Sequence, residues 1–172
     1  MKIRTVGVVG SGLMGSGIAQ VSAQSGLPTV ILDVSRPLVD QGMQRIEGFL
    51  RGGVDKGKLT EAAKNQTLSL LKGSTDLKDL SDCDLVVEAI TENLQAKRDL
   101  FAKVDKICGP DTVFASNTSS LSITEMMSAT SRPARFLGLH FFNPVPLMKL
   151  VEVIRTIVTA EEVETAALEF VR

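Results

Sequence analysis

Two kinds of apolar spacing alternate along this chain. Short runs of consecutive apolar residues, rich in β-branched side chains, are typical of strands buried on both faces of a sheet. Segments whose apolar residues recur three and four positions apart, such as Met14, Ile18 and Val21, are typical of helices with one buried face. The predicted strands span 6–9, 29–32, 68–72, 84–90, 112–115 and 136–142, with a further extended segment over 147–154. The predicted helices cover 14–21, 37–51, 60–66 and 94–107, and two more begin near residues 123 and 161.

Strands that alternate with helices at this interval indicate βαβ units, and therefore an α/β fold with a doubly wound, mostly parallel sheet. Gly52 and Gly53 are expected to end the second long helix. The prolines Pro144 and Pro146 interrupt the last apolar run, which predicts an antiparallel hairpin centred near Pro146. At 172 residues the chain is long enough for one domain with a substantial core, and not for two of normal size.

Three glycines between the first strand and the first helix have the G-x-G-x-x-G spacing of Rossmann-type dinucleotide sites. Gly10 permits a tight turn, Gly12 has no Cβ to block approaching phosphates, and Gly15 lets the helix pack close to the sheet. The free N–H groups and the dipole of such a helix favour a pyrophosphate. Glycines also cluster in ordinary turns, but the strand before this motif and the helix after it favour the dinucleotide site.

An acidic residue closes the second predicted strand, as dinucleotide sites require. Asp33 lies 21 positions after Gly12, near the spacing at which a carboxylate accepts hydrogen bonds from the adenosine ribose. A carboxylate there would repel a 2′-phosphate, so NAD is predicted over NADP. Arg36 weakens this preference, because a nearby arginine is what a 2′-phosphate would need.

The carboxyl ends of parallel strands meet at one edge of a sheet, so several turns are expected to border a single crevice. These turns are 10–15, 33, 91–93 and 116–120. The last is a run of five polar residues. Either Ser120 or Ser122 is expected to cap the helix that begins near Ile123, which leaves the rest of the run available to a ligand.

The single histidine of the chain, His140, lies inside an apolar strand, and Glu152 lies inside the extended segment that follows. Both are equally distant from Pro146, so a hairpin centred there would let them face each other. A histidine in a strand is commonly a core residue, and a glutamate commonly faces water. Embedded and paired, however, they would make a proton acceptor with an orienting carboxylate, and Ser119 and Asn143 could bind substrate oxygens.

Composition limits the partners that this chain is expected to have. Its 19 basic and 20 acidic residues give a net charge of −1, which favours neither nucleic acid nor an anionic membrane. No apolar run is long enough to cross a bilayer, and the first strand begins too early for a leader peptide, so a cytoplasmic location is expected. Cys83 and Cys108 lack C-x-x-C spacing and are expected to be reduced thiols. A single histidine argues against a metal site.

Four segments together resemble the NAD-binding domain of the 3-hydroxyacyl-CoA dehydrogenases, including the short-chain 3-hydroxybutyryl-CoA enzymes. They are GVVGSGLMGSGIAQ, VVEAITENL, FASNTSSLSIT and LGLHFFNPVPLMKLVEVI. The resemblance implies NAD-dependent, reversible oxidation of (S)-3-hydroxyacyl-CoA to 3-oxoacyl-CoA. It implies catalytic roles for His140, Glu152, Ser119 and Asn143, the last two also contacting substrate, and a contact between Lys56 and CoA. It implies that the cofactor is bound by Gly10, Gly12, Leu13, Met14, Gly15, Asp33, Glu92, Lys97 and Asn117.

The resemblance also implies a second, all-helical domain that completes the acyl-CoA pocket and forms a homodimer. Residues 1–172 are expected to be the NAD-binding domain without that partner, and therefore to bind NAD but turn over poorly. Two other hypotheses compete with this one. A 6-phosphogluconate-type 3-hydroxyacid dehydrogenase shares the glycine motif but uses a lysine base, and a non-catalytic NAD-sensing module would leave His140 and Glu152 unexplained.

Overall fold

Seven strands and six helices alternate along the chain in the computed structural model, which describes all residues 1–172. The strands are β1 Val6–Val9, β2 Thr29–Leu32, β3 Leu71–Ser74, β4 Leu85–Glu88, β5 Val113–Ser116, β6 Phe136–Phe141 and β7 Val151–Arg155. The helices are α1 Leu13–Gln24, α2 Arg36–Asp55, α3 Glu61–Ser69, α4 Leu94–Val104, α5 Ile123–Met127 and α6 Glu161–Phe170. Short 3₁₀ turns lie at Leu77–Leu80 and Pro133–Arg135.

The strands form one sheet in the order β3-β2-β1-β4-β5-β6-β7. Strands β1 to β6 are parallel, and β7 returns antiparallel to β6. The chain proceeds outward from β1 to β3 and then crosses to β4 on the other side of β1, so the strand order reverses between β1 and β4. Ligands of such sheets bind at the carboxyl ends of the strands flanking this reversal. The predicted doubly wound α/β fold with an antiparallel hairpin is confirmed.

Apolar side chains cover both faces of the sheet. On one face Val6 and Val8 belong to a cluster with Ile18 of α1 and Ile46 of α2. On the other face Val9 and its neighbours pack against side chains of α4 and α5, including the buried Phe101 and Met126. Because the central strands are buried on both faces, their sequences are continuous apolar runs without polar alternation. No helix of the chain has both the length and the hydropathy to cross a membrane.

Helix α2 passes through Gly52 and Gly53 and ends at Asp55, so the prediction that these glycines stop it is wrong. A Cβ at Gly52 would meet nothing within 4 Å, and the helix accepts both glycines at a modest cost in free energy. The actual stop is Gly57, whose φ is +66°. Its N–H donates to the Val54 carbonyl, and the next N–H donates to the Gly53 carbonyl at 2.9 Å, the paired bonds of a Schellman motif.

Two predicted strands begin later than expected because turns occupy their first residues. Helix α3 continues to Ser69, so β3 begins at Leu71 rather than at residue 68. At the hairpin, the N–H groups of Leu147 and Met148 both donate to the Pro144 carbonyl, so the turn extends past the prolines and β7 begins at Val151.

Candidate active site

The glycine turn after β1 brings α1 into close contact with the sheet. Gly10 has φ +101°, and a Cβ there would lie 2.5 Å from the Ala89 carbonyl oxygen. A Cβ on Gly15 would lie 1.7 Å from the Gly10 carbonyl oxygen. Gly12 differs, because no atom lies within 4 Å of its Cβ position. No side chain caps the start of α1 and its first turn has no acidic residue, so the free N–H groups open onto this space.

Asp33 joins the glycine turn to the end of β2. Its Oδ2 accepts hydrogen bonds from the backbone N and the Oγ of Ser11, at 2.7 and 2.8 Å, and its Oδ1 accepts one from the Val34 N–H. The carboxylate thus holds the loop between the first two motif glycines. Arg36 is engaged elsewhere, since its Nε lies 2.8 Å from Asp40 on the exposed side of α2.

Two adjoining cavities run along the carboxyl ends of the strands, and Ile90 lines both. The first, of about 480 Å³, is bordered by Gly10 and Asp33. The second, of about 400 Å³, brings together seven of the residues predicted from the sequence. These are Met14, Glu92, Lys97, Asn117, Ser119, His140 and Asn143. The turns expected to share one crevice therefore border one continuous groove.

Lys56 lies apart from this groove. It borders a third cavity, of about 510 Å³, together with Lys58, Phe49 and Leu147. The structure therefore does not bring Lys56 together with His140. Its predicted contact with CoA stays a prediction.

His140 and Glu152 are directly opposite each other on β6 and β7. The imidazole Nδ1 lies 2.7 Å from the Glu152 Oε2. A carboxylate can only accept a hydrogen bond, so in the neutral imidazole Nδ1 carries the proton and Nε2 keeps its lone pair. The expectation that both side chains are embedded is wrong for Glu152, which is 54% exposed against 20% for His140. The reason is that β7 is an edge strand with a neighbour on only one side.

In the polar run after β5, some side chains form hydrogen bonds within the protein and others line the cavity. The hydroxyls of Ser116 and Thr118 are buried and donate to the carboxylates of Glu88 and Glu92, while Ser122 caps α5. Asn117 accepts a hydrogen bond from the Phe141 N–H at 2.8 Å, which leaves its NH₂ group free for the cavity that it lines. Ser119 is exposed and lines the same cavity.

An ion-pair network lies at the second cavity, and sequence reasoning missed Glu88, its most deeply buried member. Glu88, the last residue of β4, is fully buried, and its Oε1 lies 2.5 Å from Nζ of Lys97, which is 1% exposed. The same ammonium lies 3.2 Å from Glu92. The sequence signal for Glu88 is a charged residue inside the apolar run 85–90 with a lysine nine positions later.

Glu92 is held ionised by its neighbours. Burial acts to raise the pKa of Glu92, but a hydrogen bond from the Thr118 hydroxyl and the charge of the Lys97 ammonium outweigh it and hold the pKa below its usual value. The cavity is therefore bordered by a stable negative charge.

Comparison with known proteins identifies the family to which this chain belongs. Residues 5–172 match the family model described as "3-hydroxyacyl-CoA dehydrogenase, NAD binding domain". A 3-hydroxybutyryl-CoA dehydrogenase of Mycobacterium tuberculosis is 47% identical over 169 residues, which are 98% of this chain and 59% of that protein. The mitochondrial hydroxyacyl-coenzyme A dehydrogenase of Mus musculus is 47% identical over 175 residues, covering 98% of this chain and 55% of its own length.

A solved structure agrees closely with this fold. The (S)-3-hydroxybutyryl-CoA dehydrogenase of Ralstonia eutropha superimposes with a TM-score of 0.97 at 46% identity, covering 99% of this chain and 60% of its own. The chain therefore spans about three fifths of the length of such relatives. The prediction of NAD as cofactor is confirmed by the family match, which also displaces the 6-phosphogluconate-type alternative. The chain belongs to the 3-hydroxyacyl-CoA dehydrogenase family and matches the NAD-binding domain of that family.

Proposed function

We propose that this chain supplies the NAD site and the proton-transferring pair of an enzyme that reversibly oxidises (S)-3-hydroxyacyl-CoA to 3-oxoacyl-CoA. Residues 1–172 act in this proposal as one NAD-binding domain. The observation that carries the proposal is that His140, paired with Glu152, lines the same cavity as Glu92, Lys97 and Asn117.

The residues along the groove fit NAD. The open space in front of Gly12 and the uncapped N-terminus of α1 suit a pyrophosphate, and the Asp33 carboxylate suits the adenosine ribose hydroxyls. Met14 and Leu13 would flank the pyrophosphate, while Glu92, Lys97 and Asn117 would hold the nicotinamide end. Bound NAD would supply the redox chemistry by accepting a hydride from the substrate carbon.

The protein's part in the reaction is to take a proton and to hold the substrate. Nε2 of His140 is the proton acceptor for the 3-hydroxyl group, because Nδ1 is committed to Glu152. The Glu152 carboxylate stabilises the imidazolium that forms and keeps the ring in one orientation. Ser119 and Asn143, both exposed at the cavity, would bind substrate oxygens and align the reacting carbon.

Short acyl groups such as 3-hydroxybutyryl are the proposed substrates, by analogy with the named relatives. Lys56 and Lys58 border a separate cavity that includes Leu147, a residue of the hairpin turn that also contains Asn143. We assign these two ammonium groups to the phosphates of CoA. Turnover by residues 1–172 is expected to be slow, because Glu152 is half exposed and the groove is open on that side.

The test compares cofactor binding with chemistry in the 172-residue protein. NADH binding is measured by fluorescence titration, and oxidation of NADH by acetoacetyl-CoA is followed at high protein concentration. We expect NADH to bind, turnover to be slow, and His140→Gln to reduce turnover at least about 100-fold without changing NADH affinity. A wild-type protein that does not bind NADH, or a His140→Gln variant with unchanged turnover, would contradict the proposal. A wild-type protein that binds NADH but shows no turnover would favour a non-catalytic NAD module.

A further inference from the structure

Glu88 has the most enclosed carboxylate of the chain, with 0% exposure at the point where the strand order reverses. Its Oε1 accepts hydrogen bonds from the Ile90 N–H at 2.7 Å and from Nζ of Lys97 at 2.5 Å. Its Oε2 accepts one from the Ser116 hydroxyl at 2.6 Å. A carboxylate with three donors at such distances is held rigidly in one orientation.

Glu88, Lys97 and Glu92 form one electrostatic unit. Two carboxylates share one ammonium, so the unit carries a formal charge of −1. Lys97 is closer to Glu88 than to Glu92, and only Lys97 and Glu92 reach the cavity. The cavity therefore meets a lysine already neutralised from below and a glutamate that is not fully compensated. Because Glu88 and Lys97 are buried, solvent ions screen the interaction between these two groups weakly.

The two forms of a nicotinamide ring differ in charge: the oxidised ring is a cation and the reduced ring is neutral. We propose that Glu88 is a positioning residue that fixes the charge of the nicotinamide end of the site. By neutralising Lys97 it leaves the negative charge of Glu92 to act on the cavity, which favours the oxidised ring over the reduced one. This inference rests on the proposed function, because it places the nicotinamide at the cavity that Lys97 and Glu92 line.

Charge substitutions separate this role from a purely structural one. Glu88→Gln keeps the size of the side chain and brings the unit to zero charge. The ratio of NAD⁺ affinity to NADH affinity is then expected to fall by about three- to tenfold, as a unit charge removed at this depth would cause. The double variant Glu88→Gln/Lys97→Met removes both buried charges, restores −1 through Glu92, and should return the ratio toward the wild-type value even if both ligands bind more weakly.

Both dissociation constants are measured by calorimetry on the 172-residue protein. Glu169→Gln, which removes an equal charge from an exposed position on α6 outside the groove, is the matched control and should leave the ratio unchanged. If Glu88 only maintained the fold, NAD⁺ and NADH affinities would fall in parallel and the ratio would stay constant, which would overturn the inference.

Two further outcomes keep the test decisive. If thermal melting shows that Glu88→Gln does not fold, Glu92→Gln makes the same charge change on a partly exposed side chain and must lower the ratio in the same direction. A wild-type protein that binds neither ligand would overturn the proposed function itself. Normal binding with a ratio that no variant changes would overturn only the role of Glu88.

Discussion

His140 and Glu152 face each other across the only antiparallel strand pair of the sheet, with Nδ1 and Oε2 2.7 Å apart. The pair depends on register: a slip of one residue would direct Glu152 to the opposite face. The hairpin therefore sets the tautomer of the histidine as well as its position.

Glu152→Gln should separate proton transfer from cofactor binding. The amide can donate a hydrogen bond to Nδ1, which would place the imidazole proton on Nε2 and leave that atom unable to accept the substrate proton. We expect acetoacetyl-CoA reduction to fall about 10²- to 10⁴-fold and the NADH dissociation constant to stay within about twofold of wild type. Glu169→Gln is the control for loss of charge. Turnover equal to that of the wild type would show that the carboxylate does not orient His140.

Gly12→Ala should weaken NADH binding, whereas Gly15→Ala should destabilise the fold. Gly12 has φ −65° and open space at its Cβ position, so alanine should change the free energy of unfolding by less than about 0.5 kcal/mol. It should nevertheless raise the NADH dissociation constant at least about tenfold, because the methyl group occupies the phosphate approach. Gly15→Ala would place Cβ against the Gly10 carbonyl and should destabilise the fold by about 2 kcal/mol or more.

Urea unfolding and NADH titration on the same samples measure both quantities. Unchanged NADH affinity in a folded Gly12→Ala protein would contradict the assignment of this turn to the pyrophosphate.

Asp33→Asn should narrow the preference for NAD over NADP. The substitution removes the charge that repels a 2′-phosphate, while Arg36 remains paired with Asp40. We therefore expect NAD affinity to fall several-fold with little gain for NADP. Adding Asp40→Ala frees the guanidinium, and the double variant should bind NADPH more tightly than Asp33→Asn does. Competition titrations with NADH and NADPH measure this, with Asp40→Ala alone as control. An unchanged NADH/NADPH ratio in both variants would contradict the role of Asp33.

Gly52→Ala should stabilise the protein, because α2 continues through this position. Alanine there would meet no neighbour and should raise the free energy of unfolding by about 0.5–1 kcal/mol. Gly57→Ala is the contrasting variant, since a φ of +66° disfavours any side chain, and it should destabilise by about 1 kcal/mol. Urea denaturation measures both. Destabilisation by Gly52→Ala would mean that α2 ends earlier than the structure shows.

The two buried thiols should make stability fall at alkaline pH. Burial raises the pKa of Cys83 to about 12; it also raises that of Cys108, to about 11, although the Arg132 charge opposes the second shift. Above the unfolded value of 9.0 the unfolded thiols lose their protons while the folded ones keep theirs, so stability declines as pH rises from about 9 to 11. Each thiol should contribute about 1 kcal/mol of this loss by pH 10.

Urea unfolding at pH 8, 9 and 10 measures the decline. The chain has no tyrosine, so no phenol titrates in this range. The double variant Cys83→Ala/Cys108→Ala should be less stable at pH 8 but should lose less stability toward pH 10. Equal slopes in both proteins would show that burial does not raise the pKa of these thiols.

Local patterns in the sequence were enough to predict those elements that depend only on residues close together in the chain. The strands, the glycine turn and the helix that follows were predictable, because each depends on the spacing of apolar side chains and on a few glycines within a short segment. The α2 boundary was missed because two adjacent glycines resemble a stop, whereas the helix continues through them to Asp55. A Schellman motif at Gly57 ends it instead.

By itself, the sequence determined the doubly wound fold, the dinucleotide turn, and the His140 and Glu152 positions on either side of a hairpin. Only the tertiary structure decided that Glu152 is half exposed on an edge strand, that Lys56 borders a different cavity, and that Glu88 lies beneath Lys97. These facts depend on which strands become neighbours and on how deeply each is buried. Strand order and burial are set by packing between segments far apart in the chain, which no local pattern of residues records.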